Sequence, residues 1–466
     1  MSGTFSSFNT ALGALHYNRV LMDVASSNIA NSATSGYVRR RVDGETVSTV
    51  GTSAMYARPS TPLVGEGVAA SNVSRVSDQF LDARSRLEHG SNSYLSVTSQ
   101  ALTRLETGVG EPGDNGVSAA LNDFRSGWHD LANSPGGAAA RSQVIDRAAL
   151  LAEAIRAQAS NVAQEEGDQK VRLDALVAEV NTLASDLAST NESIAIASFN
   201  GSDPNVLLDQ RDQLAMRLAQ LTGATASQRS DGGFDLTVNG VSLVSGSQAG
   251  TFSIVGGNAA GTPLGTTVAF QVTTNGSSQA VAPGLKGEVG GTADLLNDTL
   301  PGYREGLADV VRDLATTVNA QHRAGFDQDG NPGEDFFTFD PTDPAGTLGV
   351  AFTDPRKVAA SGLAGGGLDG SNATRLASTS TAEDGYQKLV NALGSTVAST
   401  KRLAINQQAL TDQVDNAREQ MSGVSTDEEL VNLVAAQRSY EAASRVLTTL
   451  DEMLETLINR MGVVGR

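Results

Sequence analysis

The segment LVAAQRSYEAASRVLTTLDEMLETLINRM, residues 433–461, sets Leu433, Tyr440, Leu447, Leu454 and Met461 seven residues apart, with Ala436, Ala443, Leu450 and Leu457 as a second row. An a/d seam sustained over about four heptads marks a helix that lies lengthwise on another helix. The other end of the chain repeats the pattern more briefly: Phe8, Leu15, Met22 and Ile29 are seven apart, with Phe5 and Leu12 beside them. Isolated helices are marginal in water and exposed apolar stripes associate, so each seam needs a partner, either the other terminus or a neighbouring subunit. The sequence therefore predicts terminal helices that stay unpaired in a lone molecule and order on assembly.

Working outward, Gly423 precedes Ser425, and Glu428 follows three residues later, a capping pattern that opens the C-terminal helix. Asn31 to Gly36 stops the N-terminal helix, with Asn31 and Gly36 suited to positive φ and Tyr37 to a packed ring with a wet hydroxyl. Val38 to Val76, rich in Thr, Ser, Val and Gly and holding Pro59 and Pro62, reads as an extended connector with hairpin-like turns. Helical periodicity then covers Asp78 to Thr107, Val117 to Ala132 and Ala138 to Ser198; in the last, Leu173, Leu176, Val180, Leu183, Leu187 and Ile194 alternate in threes and fours, and Thr190 fills the polar slot. From about Gly223 to Gly291 the chain turns Gly/Ser/Thr/Val-rich, with alternating runs at Phe234–Val238, Val241–Val244 and Thr267–Val272. Helix returns at Thr292 to Arg323, breaks at a Gly/Asp/Pro-rich stretch from Gly325 to Gly370, and resumes from Ala382 to Met421.

This order predicts a mainly α protein with a β insert, elongated and multidomain, in a nested topology. Residues 1–48 with 415–466 form a terminal coiled coil, 49–222 with 291–414 a rod of long helices with extended connectors, and 223–290 a small β-rich outer domain.

Composition excludes several function classes. With 33 Lys and Arg against 52 Asp and Glu, a formal charge of −19 opposes any broad grip on nucleic acid or anionic membranes. No apolar run approaches the roughly 20 residues of a spanning helix. Cysteine is absent, which removes disulfides, thiolate nucleophiles and Cys-ligated zinc. The N-terminus has neither basic region nor apolar core, so no cleavable secretory signal is read there.

Catalytic and metal signatures are thin. His16, His89, His129 and His322 stand apart from one another, and no G-x-S-x-G, P-loop or H-E-x-x-H occurs. Gly108 to Gly113 matches G-x-G-x-x-G, yet follows an amphipathic helix rather than a strand, and Pro112 with Asp114-Asn115 marks a turn. Asp327, Asp329 and Asn331 sit at alternate positions like a calcium loop, but Pro332 and Thr338 stand where an EF-hand needs Gly and a bidentate Glu. No cofactor, metal or catalytic residue is expected. Arg39-Arg40-Arg41 is a dense basic cluster, read either as solvated or as meeting an acidic neighbour such as Asp451, Glu452 or Glu455.

Ser27-Asn28-Ile29-Ala30-Asn31-Ser32-Ala33-Thr34-Ser35-Gly36-Tyr37 resembles the signature of flagellar rod, hook and hook-associated proteins, with Ser35 where that superfamily usually has Pro. Gly423 to Leu430, then Asn432-Leu433, Gln437, Tyr440-Glu441-Ala442 and Asp451 to Leu454, resemble its matching C-terminal helix. Asp78 to Leu81, Glu111-Pro112 through Ala120 to Phe124 and Trp128, Asn133 to Pro135, Leu207 to Asp212 and Val318 to His322 resemble the hook-associated protein 1 family in particular. The resemblance implies a secreted, extracellular structural subunit of the flagellum, in a ring of copies between hook and filament. Its implied partners are hook protein, the second junction protein (hook-associated protein 3) and through it the filament, and an export chaperone on the C-terminal region; export runs through the flagellar type III channel. It implies an assembly interface on the terminal helices: Phe8, Leu15, Met22, Asn28, Ile29, Asn31, Gly36 and Tyr37 with Leu433, Gln437, Tyr440, Leu447, Leu450, Leu454 and Leu457. The alternatives are another axial protein, hook or distal rod, and a surface enzyme using the Asp327 loop.

Overall fold

The computed structural model describes residues 2–47, 67–113, 116–257, 267–365 and 367–461. In chain order, helix α1 (Ser2–Ala30) leads to an antiparallel hairpin, β1 (Arg40–Thr46) and β2 (Val68–Arg75). Helices α2 (Gln79–Val109), α3 (Val117–Asn133), α4 (Ala138–Phe199) and α5 (Asn205–Thr222) follow. Strands β3 (Thr225–Gln228), β4 (Phe234–Val238), β5 (Val241–Ser245) and β6 (Gln248–Ala249) make a four-stranded antiparallel sheet; β7 (Thr251–Gly256), β8 (Val268–Thr274) and β9 (Ser277–Val281) make a three-stranded one. Helix α6 (Gly287–Asp294) runs through one π-turn into α7 (Leu300–Arg323); β10 (Phe337–Thr338), α8 (Pro344–Thr347), β11 (Gly349–Val350) and α9 (Ser371–Ala377) precede the long helices α10 (Thr381–Ser422) and α11 (Thr426–Met461).

Local chemistry sets these boundaries. The Asp78 carboxylate accepts from the Phe80 and Leu81 amides and starts α2, and Gly110 ends it at φ +66° with its N–H on Glu106 O. The G-x-G-x-x-G match is thus a helix C-terminus, which has no dinucleotide cradle to offer; Asp114 and Asn115 lie outside the described residues. Asn239-Gly240 and Asn275-Gly276, all at positive φ, close the β4–β5 and β8–β9 hairpins. The Pro59 and Pro62 part of the predicted connector also lies outside the described residues.

At about 1.5 Å per residue, the 62 residues of α4 span roughly 90 Å and form the spine. One end carries a core of α3, α7, α9 and the segment after α7; the other carries a core of α2, α5, α6 and both sheets. Between the two cores α4 turns polar, and buried Glu165 and Glu166 pair with Arg104 and Arg304 at 2.8 and 2.6 Å.

Two features differ in detail from the sequence reading. The sheets share one continuous core with α2, α4 and α5, through Phe234, Leu236, Phe252 and Phe270, and do not enclose a separate one. The Gly/Asp/Pro-rich break is no mere interruption: Phe336, Phe337 and Val358 are buried against Phe124 and Trp128. His322 sits among these rings with Nδ1 donating to Glu334 O at 2.6 Å and Nε2 accepting from the Ala359 amide at 2.8 Å, which fixes one neutral tautomer. Burial pushes its pKa down to about 4.

Candidate functional site: the paired termini

α1 lies antiparallel along α11, its end beside the start of the partner helix. The expectation that both seams stay open in a single chain is therefore corrected: the nested topology brings the ends together, and each stripe covers part of the other. Ala11, Ala25 and Asn28 are the most buried positions of α1, with Phe8, Leu15, Met22 and Ile29 half-buried alongside and Leu12 exposed. On α11 the buried line runs Glu429, Leu433, Ala436, Ala443, Leu447, Leu450 and Leu454, Leu433 and the last four being half-buried. Alanines at the closest points let the two backbones approach. Tyr440 lies at the rim, 37% exposed, and Gln437 faces out. The Leu457 side chain lies outside the described residues.

The helix junction is held by a polar knot. Asn28 is fully buried; its Oδ1 accepts from Tyr37 Oη at 2.8 Å and from the Arg40 amide at 3.0 Å. Its Nδ2 donates to Arg40 O at 2.9 Å and to Glu429 Oε2 at 3.1 Å. The carboxamide thus serves Arg40 as a strand neighbour would, and a carboxylate at position 28 would lack the donor. Tyr37 is half-buried, and its hydroxyl donates to Asn28 in a bond that is only part-buried.

Asn31 takes no positive φ. It caps α1 by donating Nδ2 to Ser27 O at 2.9 Å. Gly36 does turn left-handed, at φ +78°, and a Cβ there would lie 2.0 Å from Gln213 Nε2, which in turn donates to Ser35 O. That contact fastens the turn to α5.

Arg39 donates Nε to Glu429 at 2.8 Å and lies 3.3 Å from Glu428. Asp451, Glu452 and Glu455 are therefore not its partners: they lie at the far end of α11, whereas Arg39 sits at its first turn. Arg41 pairs with Asp43. Arg40 reaches Asp209 on α5 at 3.4 Å, and Arg75 of β2 bridges Asp209 and Asp212 at 2.8 and 2.6 Å. The Arg75–Asp209 approach is off line, so it acts as a charge contact without a directed hydrogen bond. Burial raises the Asp209 pKa, against the pull of Arg75 and Arg40. Such networks contribute orientation more than net stability. Sequence reading found Asn28 and Tyr37 but missed Glu429, a carboxylate in phase with the seam at Leu433 and Ala436; a charge in that register signals a buried partner.

The side chains of the Asp327 loop are engaged within the chain. Asp327 Oδ1 accepts from the Asp329 and Asn331 amides at 2.9 and 2.8 Å, Asp329 pairs with Arg356 and Glu334 with Lys357. Among the described residues no group of three or more His, Asp or Glu could hold a metal, and no helix is long and apolar enough to cross a membrane.

The pattern of matches follows this geometry. Residues 8–37 match the flagella basal body rod protein family, and 417–461 the C-terminal family of flagellar basal body rod FlgEFG proteins. These are the helix pair and its knot. Residues 102–337 match the helical domain of flagellar hook-associated protein FlgK, and flagellar hook-associated protein 1 of Bacillus subtilis is 31% identical across the full length of both chains. The chain belongs to the flagellar hook-associated protein 1 family. A second hook-associated protein 1, from Escherichia coli, is 26% identical over 97% of this chain and 99% of its own. The flagellar hook junction protein FlgK from Burkholderia pseudomallei shares the fold, with a TM-score of 0.65 at 18% identity over 74% of this chain and all of that one. This member of the hook-associated protein 1 family is a structural component of the bacterial flagellum that associates with other axial proteins, and not an enzyme.

Proposed function

We propose that this chain forms the ring joining hook to filament, with hook protein below it and hook-associated protein 3 above, and assembles through α1 and α11. The observation that carries this is the second apolar face of α11. After α1 has covered one side, Val431 remains 68% exposed on the opposite side, and Val434, Val446 and Met453 are exposed there as well. An uncovered apolar face along a helix of 36 residues is a standing demand for neighbours. Copies meeting through different faces propagate a ring, and the same helices meet hook protein and hook-associated protein 3 at its two ends. The domain division at residues 48 and 415, and at 222 and 291, belongs to this reading, as does uncleaved type III export with a chaperone on the C-terminal helix. The chaperone would cover the face that assembly later buries, and the finished ring lies outside the cell.

Cells deleted for the chain test this directly. Electron microscopy and immunoblots of the medium should find complete hooks without filaments and flagellin shed as monomer. Filaments of normal length and number on those cells would refute the assignment, and absent hooks would point instead to a rod or hook subunit.

A further inference from the structure

A cavity of about 490 Å³ opens where β2, α2, α5 and β4 meet, just behind the polar knot. Its lining carries Arg75, Arg86 and Arg211 against Asp82 and Asp212, three charges against two, an excess of one positive charge in a chain of −19. Most of these are spoken for. Arg75 holds Asp209 and Asp212, Arg211 holds Asp212 and Gly232 O, and Asp82 takes Arg418 at 2.6 Å.

Arg86 is the exception. It is only 8% exposed, yet among the described residues it makes no hydrogen bond and no ion pair; its guanidinium lies 5.3 Å from the centre of the Phe234 ring, which Arg211 also stacks at 3.8 Å. Burial works against its charge, and Asp212 and Asp82, acting from a distance, offset only part of that. The Arg86 nitrogens are not sealed from solvent, so they stand open to an incoming group, and a guanidinium fork suits a carboxylate above other anions of a polypeptide. At the mouth Phe80 is 86% exposed, and Val206, 66% exposed, directly follows the lining residue Asn205. The opening thus pairs an unspent positive charge with apolar surface.

We propose that this cavity is a receptor site for an acidic segment of a second copy of the chain, a carboxylate engaging Arg86 while an adjacent apolar side chain covers Phe80. The choice of occupant follows from charge: two −19 subunits repel at their general surfaces, and close packing in a ring needs a local contact of opposite sign. The proposal rests on the self-association read above and adds the place where it is specified.

The test uses the full-length chain in assembled flagella, with the photo-crosslinker p-benzoylphenylalanine in place of Phe80. Irradiation should give a covalent dimer of the chain, with the crosslinked peptide containing Asp or Glu, and Arg86→Gln should lower dimer yield at least tenfold at an unchanged unfolding midpoint. If Arg86→Gln lowers the midpoint, Phe80→Ser with the crosslinker in place of Val206 reads the same contact, because both positions are exposed. Crosslinks to a different protein, no dimer, or a yield indifferent to both substitutions would overturn the site. In that case hooks that shed flagellin in the deletion strain would leave the junction role standing.

Discussion

Leu447→Asp is expected to yield a folded, exported chain that never joins the hook. Leu447 is half-buried in the seam between α11 and α1, two turns from Tyr440 and one from Leu450 on the same line. A carboxylate there loses water on one side and faces apolar side chains, at a cost on the order of 2 to 3 kcal/mol. That sum is small for the body, whose two cores contain no α11 residue, so its thermal transition should stay within experimental error of the parent. It is large for a helix pair whose stability depends on one seam. The readouts are the body's melting curve, the amount of variant in the medium and the count of filaments per cell. Leu447→Met, which keeps apolar volume, should assemble normally. Normal filaments with Leu447→Asp would mean that this seam does not hold the assembly.

A second large effect should appear with pH. His322 keeps a neutral ring between Trp128, Phe336 and Phe352, with both nitrogens committed, and its pKa falls from 6.5 to about 4. Between those values the unfolded chain binds a proton that the folded chain refuses. Stability from this group is therefore complete above pH 6.5 and is lost as pH falls towards 4. The shift of about 2.5 units corresponds to about 3 kcal/mol. Denaturant unfolding at pH 7.5 and 4.5 captures most of it: the parent should lose about 2.5 kcal/mol more than His322→Gln over that interval. Equal losses in both would assign the pH dependence to other groups.

Much of the fold was legible because its signals are local. Asp78, Gly110 and Ser425 mark helix ends through backbone chemistry that acts over three or four residues, and the long helices begin and end within a residue or two of where those signals fall. The start of α6 was hidden for an equally local reason. Gly287, Gly290 and Gly291 read as the end of the β-rich stretch, but a Cβ at Gly291 would lie 2.9 Å from Tyr94 O, so glycine there permits close packing of α6 on α2. Helix α5 was marked only by its Leu207 to Asp212 motif.

What stayed illegible depends on residues far apart in the chain. Phe336, Phe337 and Phe352 have no helical or strand period, and only the fold gathers them around Trp128. Asn28 meets Glu429 across 401 positions, so the knot could not be read from either motif alone. On α11 Leu433, Ala436, Ala443, Leu447, Leu450 and Leu454 lie on the covered side while Tyr440 sits at the rim, and on α1 small Ala11 and Ala25, not the large apolar residues, are the more buried.

Hydrogen exchange on the full-length chain, free in solution and within purified flagella, tests most directly whether the open face of α11 is what assembly consumes. Amides of residues 431–458 should gain at least a hundredfold protection on assembly, while those of α4 and α7 change little. Equal protection of 431–458 in both states would contradict the account, because the helix would then owe nothing to its neighbours.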